Sequence, residues 1–372
     1  MADRQKITDL RTPAFMIDLK TVQSNCKAMI DRCKGLGVEL RTNMKTHRTL
    51  EAGEYMTAGT KRCISVSTLA EAEFYSNGGY DDITYAYPLS PDKVSQAAQL
   101  LSRLEKFHVL VDNYVILDSL VVYPLPEGKK WSVFLKVNCG YNRAGVWYDD
   151  PQSVDMAKEI SSKSCVTFKG LYIHEGNSYN CQGEDEIKQT ASETFKRLNI
   201  FSHRLKQAGI EFPTVAIGAT PSCSKPPDDV EGINEFHPGN YVFYDYQQYL
   251  TGSCDLNDIA VRVLTRVIGH YPDREQILID CGWTGLSHDS LGKLKTGFCY
   301  FEGHPNLKLV KMTQEIGTVQ AVEGPLDLLL YPIGSFLRII PFHACATAYM
   351  HPVYYVVKDD EVVDKWIPNR GW

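Results

Sequence analysis

Between residues 38 and about 245, short apolar runs alternate with segments whose apolar side chains recur at steps of three and four. The runs cover 38–43, 62–68, 82–88, 106–112, 132–138, 168–174, 214–218 and 235–243, and they read as strands. Segments such as 69–77, 91–104 and 184–209 carry the helical period between them. Eight βα repeats in this order predict a parallel (β/α)8 barrel of the TIM type rather than a doubly wound sheet. After about residue 250 the rhythm changes. Runs at 260–272, 275–282, 307–323, 335–350 and 351–357 are strand-like with short turns, which predicts a second, all-β domain. The early run 12–19 is expected to join that domain. The expected division is therefore an N-terminal segment 1–20, a barrel 21–248 and a β-domain 249–372.

Length agrees with this pattern, since 372 residues suit one barrel of roughly 200–250 residues plus a smaller domain. An apolar fraction of 44% with 11% aromatics allows a large core. A net charge of −6 without a long basic run argues against a nucleic-acid partner. No window approaches 18 consecutive apolar residues, so no membrane span is expected. The opening MADRQKITDL lacks the apolar stretch of a secretory signal. The eleven cysteines form no CxxC pairs, so reduced thiols and a cytoplasmic location are expected.

Barrel enzymes carry their chemistry at the carboxyl ends of the strands. Lys45 follows the first run, with Arg41, His47 and Arg48 as neighbouring positive charges. An amine so placed suits covalent bonding to an aldehyde cofactor; a solvated basic turn is the competing reading. Arg143 follows the fifth run, between Gly140 and Gly145, which permit a tight turn aiming a guanidinium inward; an arginine paired with a surface carboxylate is the alternative. Tyr172 and His174 lie two apart on the sixth run and face one side, either flanking a ring-shaped ligand or filling the core, and Tyr179 follows in the loop. Gly218 and Thr220 after the seventh run, with Gly239 and Asn240 at the eighth, occupy the two loops with which barrels often bind phosphate. His343 and Cys345, read as neighbours on one face of a strand, are either a packed pair or an imidazole and thiolate suited to zinc.

Together these segments resemble the eukaryotic D-serine dehydratase family, among the pyridoxal-phosphate enzymes of the alanine-racemase-like fold and related to D-threonine aldolase. The resemblance runs nearly end to end, through MKTHRTLEAGEYMTAGT, KVNCGYNRAGV, GLYIHEGNSY, IGATPSCS, HPGNYVFYD and PFHACATAYMHPVYYVV. It implies pyridoxal 5'-phosphate on Lys45, zinc on His343 and Cys345, and Tyr172 or a neighbour near the pyridine ring. It also implies the 218–220 and 239–241 loops on the phosphate and a homodimer acting on a small D-amino acid. The expected reaction is loss of water from D-serine, with D-threonine or D-threo-3-hydroxyaspartate as further substrates. The chain departs from its relatives at Thr42-Asn43, at Asn138 and at Ile316, where a histidine is expected; the last bears on substrate positioning. Rival readings on the same scaffold are an aldolase, which tends to place Asp where Cys345 stands, and a racemase using Tyr349 or Tyr354. A carrier of pyridoxal phosphate without catalysis would not need the β-domain.

Overall fold

The computed structural model describes residues 5–290 and 292–372 and divides the chain into two compact units. The first holds Lys27–Gly239 with Thr251–Ser253 and Asn369–Trp372. The second holds the residues up to Cys26, Asn240–Leu250 and Cys254–Pro368.

The first unit is a nearly closed parallel barrel. Its strands are Glu39–Leu40, Thr42–Asn43, Ile64–Val66, Asp82–Pro88, Lys106–Val111, Trp131–Asn138, Val166–His174, Thr214–Gly218 and Glu235–Phe236. The first two interrupt one extended stretch at Arg41. Glu39–Leu40 pairs with Glu235–Phe236, Thr42–Asn43 pairs with Ile64–Val66, and the Arg41 N–H donates to the Phe236 carbonyl (2.8 Å), so the ring closes through this residue. Central strands are apolar on both faces because helices cover them, and Val109, Val133, Phe134 and Leu135 are fully buried. Several βα loops end in a side-chain cap: Thr49, Thr68 and Asn113 accept the N–H of Ala52, Glu71 and Ile116.

The strand expected over 235–243 stops at Phe236. Pro238 has no N–H for a ladder, and Asn240–Val242 coils into a 3₁₀ turn.

Arg41 does not act as a free cation beside Lys45. Its guanidinium turns inward and bonds Asp82 (2.6 Å) and Glu235 (3.0 Å), all three side chains being buried. His47 and His108 are also buried. Burial first, aided by the nearby charges of Arg48 and Arg41 respectively, pushes their pKa values down to about 3 and about 4. The folded barrel keeps both neutral, whereas the unfolded chain protonates them below about pH 6.5. Between that value and the folded pKa values the unfolded state binds more protons, so stability is full above it and falls as the pH drops. Each histidine contributes a loss of about 1.4 kcal/mol per pH unit in that window. Thermal melts from pH 7.5 to 4.5 are expected to show this decline, with a shallower slope in His108→Asn.

In the second unit, Ala14–Asp18 runs antiparallel to Val261–Tyr271 and parallel to Tyr354–Lys358, so the N-terminal strand lies inside this sheet. Gln276–Ile279, Leu307–Met312, Gly317–Ala321 and Glu361–Trp366 extend it, and Cys299–Phe301 and Phe336–Pro341 branch from Val261–Tyr271. The unit is mostly sheet but not wholly so. After Phe336–Pro341 the chain enters the helix Ala344–Met350, with His343 as its N-cap. His343 and Cys345 therefore sit at a strand-to-helix corner and not on a strand, because Ala-Cys-Ala-Thr-Ala favours helix over an alternating strand. Among the described residues no helix is long and apolar enough to cross a membrane.

Candidate active site

Lys45 lies in the 3₁₀ turn Met44–Thr46 that leaves the strand Thr42–Asn43. The turn is held at both ends. Asn43 Oδ1 accepts the Lys45 N–H (3.1 Å), and Arg48 Nε donates to the Lys45 carbonyl (3.3 Å). Arg48 has a left-handed φ of 56° that a non-glycine residue tolerates only when its surroundings fix it. Two contacts do so: Glu71 pairs with its Nε (2.7 Å), and the Asn369 N–H donates to its carbonyl (2.7 Å). The expectation that Arg41, His47 and Arg48 would surround Lys45 with positive charge is corrected here. Both arginines are matched by carboxylates, and His47 is neutral, its Nδ1 accepting the Thr49 N–H (3.1 Å).

The other barrel residues singled out by sequence converge. His174 donates from Nδ1 to the Gly218 carbonyl (3.0 Å) and lies against Tyr141 and Tyr179. Burial, then the positive charges of Arg143, Lys45 and Lys136, hold its pKa well below the usual value. Tyr179 accepts the Thr220 N–H at its hydroxyl (3.4 Å). Tyr172 is buried and stacks on His237, with ring centres 3.9 Å apart and planes 10° apart. Arg143 itself is exposed, at the tip of a turn shaped by Asn138, whose Oδ1 accepts the N–H groups of Gly140 (3.0 Å) and Asn142 (3.1 Å).

Two glycines are required by close approach. A Cβ on Gly218 would meet His237 Nδ1 at 2.1 Å, and one on Gly239 would meet the Asn43 carbonyl oxygen at 2.6 Å. The second contact ties the loop after the last strand to the residue that caps the Lys45 turn.

Lys136 and His237 escaped the sequence reading. Lys136 projects into the barrel from Trp131–Asn138, with its ammonium 5.1 Å from the Tyr172 ring centre. Burial, with Arg143 nearby, lowers its pKa to about 7. The signal was a lysine inside the apolar run VFLKV. His237 was visible only as part of the loop motif HPGN.

In the second unit, His343 and Cys345 come together. Burial disfavours a charged His343, yet Cys345 and Asp289 outweigh it and raise the pKa to about 10, so this corner attracts positive charge. Asp289 bonds Nδ1 of His343. Asn240 belongs to this unit, where its side-chain amide faces Asp245 (2.7 Å) and Cys345 Sγ (3.5 Å). Among the described residues no three His, Cys, Asp or Glu side chains gather as a metal-ligand set.

Residues 17–247 match the family described as "Alanine racemase, N-terminal domain", and residues 260–357 match "Putative serine dehydratase domain". The D-serine dehydratase of Dictyostelium discoideum is 39% identical, with 98% of each chain covered. The chain belongs to the D-serine dehydratase family. It is a lyase, a D-amino acid dehydratase. The D-threo-3-hydroxyaspartate dehydratase of Delftia sp. is 30% identical over 98% of each chain. Its solved structure superposes with a TM-score of 0.93 at 29% identity, covering 99% of this chain and all of that one. A D-threonine aldolase from Filomicrobium marinum shares the fold, with a TM-score of 0.85 at 24% identity over 98% of this chain and 96% of that one.

Two of the positions expected to differ from other members of the D-serine dehydratase family have local roles. Asn43 caps the Lys45 turn, and Asn138 builds the turn that carries Arg143. Ile316 is 38% exposed in the tight turn between Leu307–Met312 and Gly317–Ala321, where its carbonyl accepts the Thr313 N–H (2.8 Å).

Proposed function

We propose that this enzyme removes water from D-serine, with pyridoxal 5'-phosphate held by Lys45 and zinc held by His343 and Cys345. The net products are pyruvate and ammonia, and D-threonine and D-threo-3-hydroxyaspartate are further substrates of the same elimination. The observation that carries the metal part is the His343–Cys345 corner. A histidine ligand usually gives its second ring nitrogen to a carboxylate, and Asp289 already occupies Nδ1, which leaves Nε2 for the metal. An imidazole beside a thiol favours zinc, whereas an oxygen donor in place of Cys345 would favour magnesium or manganese.

The barrel residues fit the organic cofactor. Lys45 and Arg143, with Lys136 partly charged near neutral pH, supply positive charge for an anionic phosphate and a phenolate-like oxygen, and Tyr172 Oη and His237 Nε2 are buried polar atoms. Gly218, Thr220, Tyr179 and Gly239 would cradle the phosphate, with Tyr172 and His174 near the ring. When bound, pyridoxal phosphate supplies the electron sink for a carbanion at Cα, and zinc supplies Lewis acidity to the departing hydroxyl. The amine of Lys45 takes the Cα proton. Arg143 stays charged throughout and can hold an anionic oxygen by hydrogen bonds.

Pyruvate from D-serine, and none from L-serine, is the expected result for the purified enzyme. Chelator treatment should leave the visible absorbance of the bound cofactor while turnover falls at least about a hundredfold, given several kcal/mol of Lewis-acid assistance at 1.36 kcal/mol per tenfold. Zinc should restore it. Full turnover in verified metal-free protein, or glycine plus an aldehyde as the products from D-threonine, would overturn the proposal.

A further inference from the structure

We infer that Asp245 is a positioning residue that fixes the relative placement of His343 and Cys345. This inference rests on the reading that the pair holds zinc. Asp245 is completely buried. Its Oδ2 accepts two hydrogen bonds, from the Ala344 N–H (2.8 Å) and from Asn240 Nδ2 (2.7 Å), while Oδ1 accepts the Gln248 N–H (3.0 Å). Ala344 is the residue between the two proposed ligands, so one bond from this carboxylate pins the backbone that joins them. The Asn240 amide, oriented by Asp245, also points at Cys345 Sγ (3.5 Å), where it can donate to a thiolate.

Capping the helix Tyr246–Thr251 would require only the bond to Gln248. The other two lead to the His343–Cys345 corner, which is about 100 residues away in sequence. With both oxygens engaged by N–H groups, Asp245 acts through the ligands and is not itself one. An asparagine at this site would match its shape but would turn an NH2 group toward donors where an acceptor is needed. The His343–Cys345 corner would then lose its fixed backbone, and the Asn240 amide its orientation.

The test is zinc affinity of the full-length holoenzyme, measured by competition with a chromophoric chelator, for the wild type, Asp245→Asn and Asn240→Ala. Cofactor absorbance and melting temperature are recorded for each. Asp245→Asn is expected to bind zinc 10–100-fold more weakly, the range typical when the partner of a metal ligand is lost, and to recover kcat with D-serine in excess zinc. Asn240→Ala leaves the Asp245 bonds to Ala344 and Gln248 in place and should weaken zinc binding less, in the same direction. It keeps the inference testable if Asp245→Asn does not fold. Wild-type protein that binds zinc while the folded variants bind it equally well would overturn the role of Asp245 alone, even if their melting temperatures fall. Wild-type protein that binds no zinc would overturn the metal assignment and this inference together.

Discussion

Lys45→Ala is expected to lose covalently held cofactor and to turn over D-serine more slowly by about 10²–10⁴-fold at least, the usual worth of a positioned acid or base. Position as well as chemistry singles out this lysine. It stands directly after a barrel strand, where (β/α)8 enzymes place reacting groups, on a turn clamped by Asn43, Arg48 and Glu71. Lys136 is the rival amine. Its pKa of about 7, set by burial and Arg143, makes a neutral amine readily available near physiological pH, but it lies within a strand against the Tyr172 ring. Lys136→Ala should therefore keep the cofactor linkage. The visible spectrum of each purified variant decides between the two, and an unchanged cofactor band in Lys45→Ala would refute the assignment.

Arg41→Met is expected to lose more stability than Lys45→Ala, Lys136→Ala or His108→Asn. Removing the guanidinium takes the paired cation from two buried carboxylates, Glu235 and Asp82, and leaves Asp82 facing Lys106 (3.7 Å) and the neutral His108 (3.5 Å). Breaking a buried pair in this way typically costs about 3–5 kcal/mol, because the surviving charge remains desolvated. Arg41 also sits where the barrel closes, between the strand segments that pair with Glu235–Phe236 and with Ile64–Val66. The loss should appear as a lower midpoint in urea, and the triple variant Arg41→Met, Asp82→Asn, Glu235→Gln should recover part of it. A shift in Arg41→Met worth less than about 1 kcal/mol would mean that solvent reaches these groups.

The contrast between Arg41 and Lys45 shows what could be read from the chain. Strand positions were legible because barrel strands buried on both faces are continuous apolar runs, and each predicted run contains barrel strand. Lys45, Arg143, Tyr172 and His174 drew notice because strand ends are where reacting residues gather in barrels, and the positive charges of Lys45 and Arg143 act on His174. Side-chain direction at Arg41 was not legible, since its partners Asp82 and Glu235 lie 41 and 194 residues away. The helix at Ala344 was hidden by the apolar run before it, whose composition suits either structure, and with it the true setting of His343 and Cys345. Asp289 and Asp245 carried no local signal, because their significance depends on contacts with residues 54 and 99 positions away.

Borohydride reduction of the holoenzyme, followed by proteolysis and mass spectrometry, tests the assignment of the cofactor lysine most directly. The reduced cofactor is predicted on the peptide containing Lys45. Its recovery on the peptide containing Lys136, with Lys45 unmodified, would contradict the account.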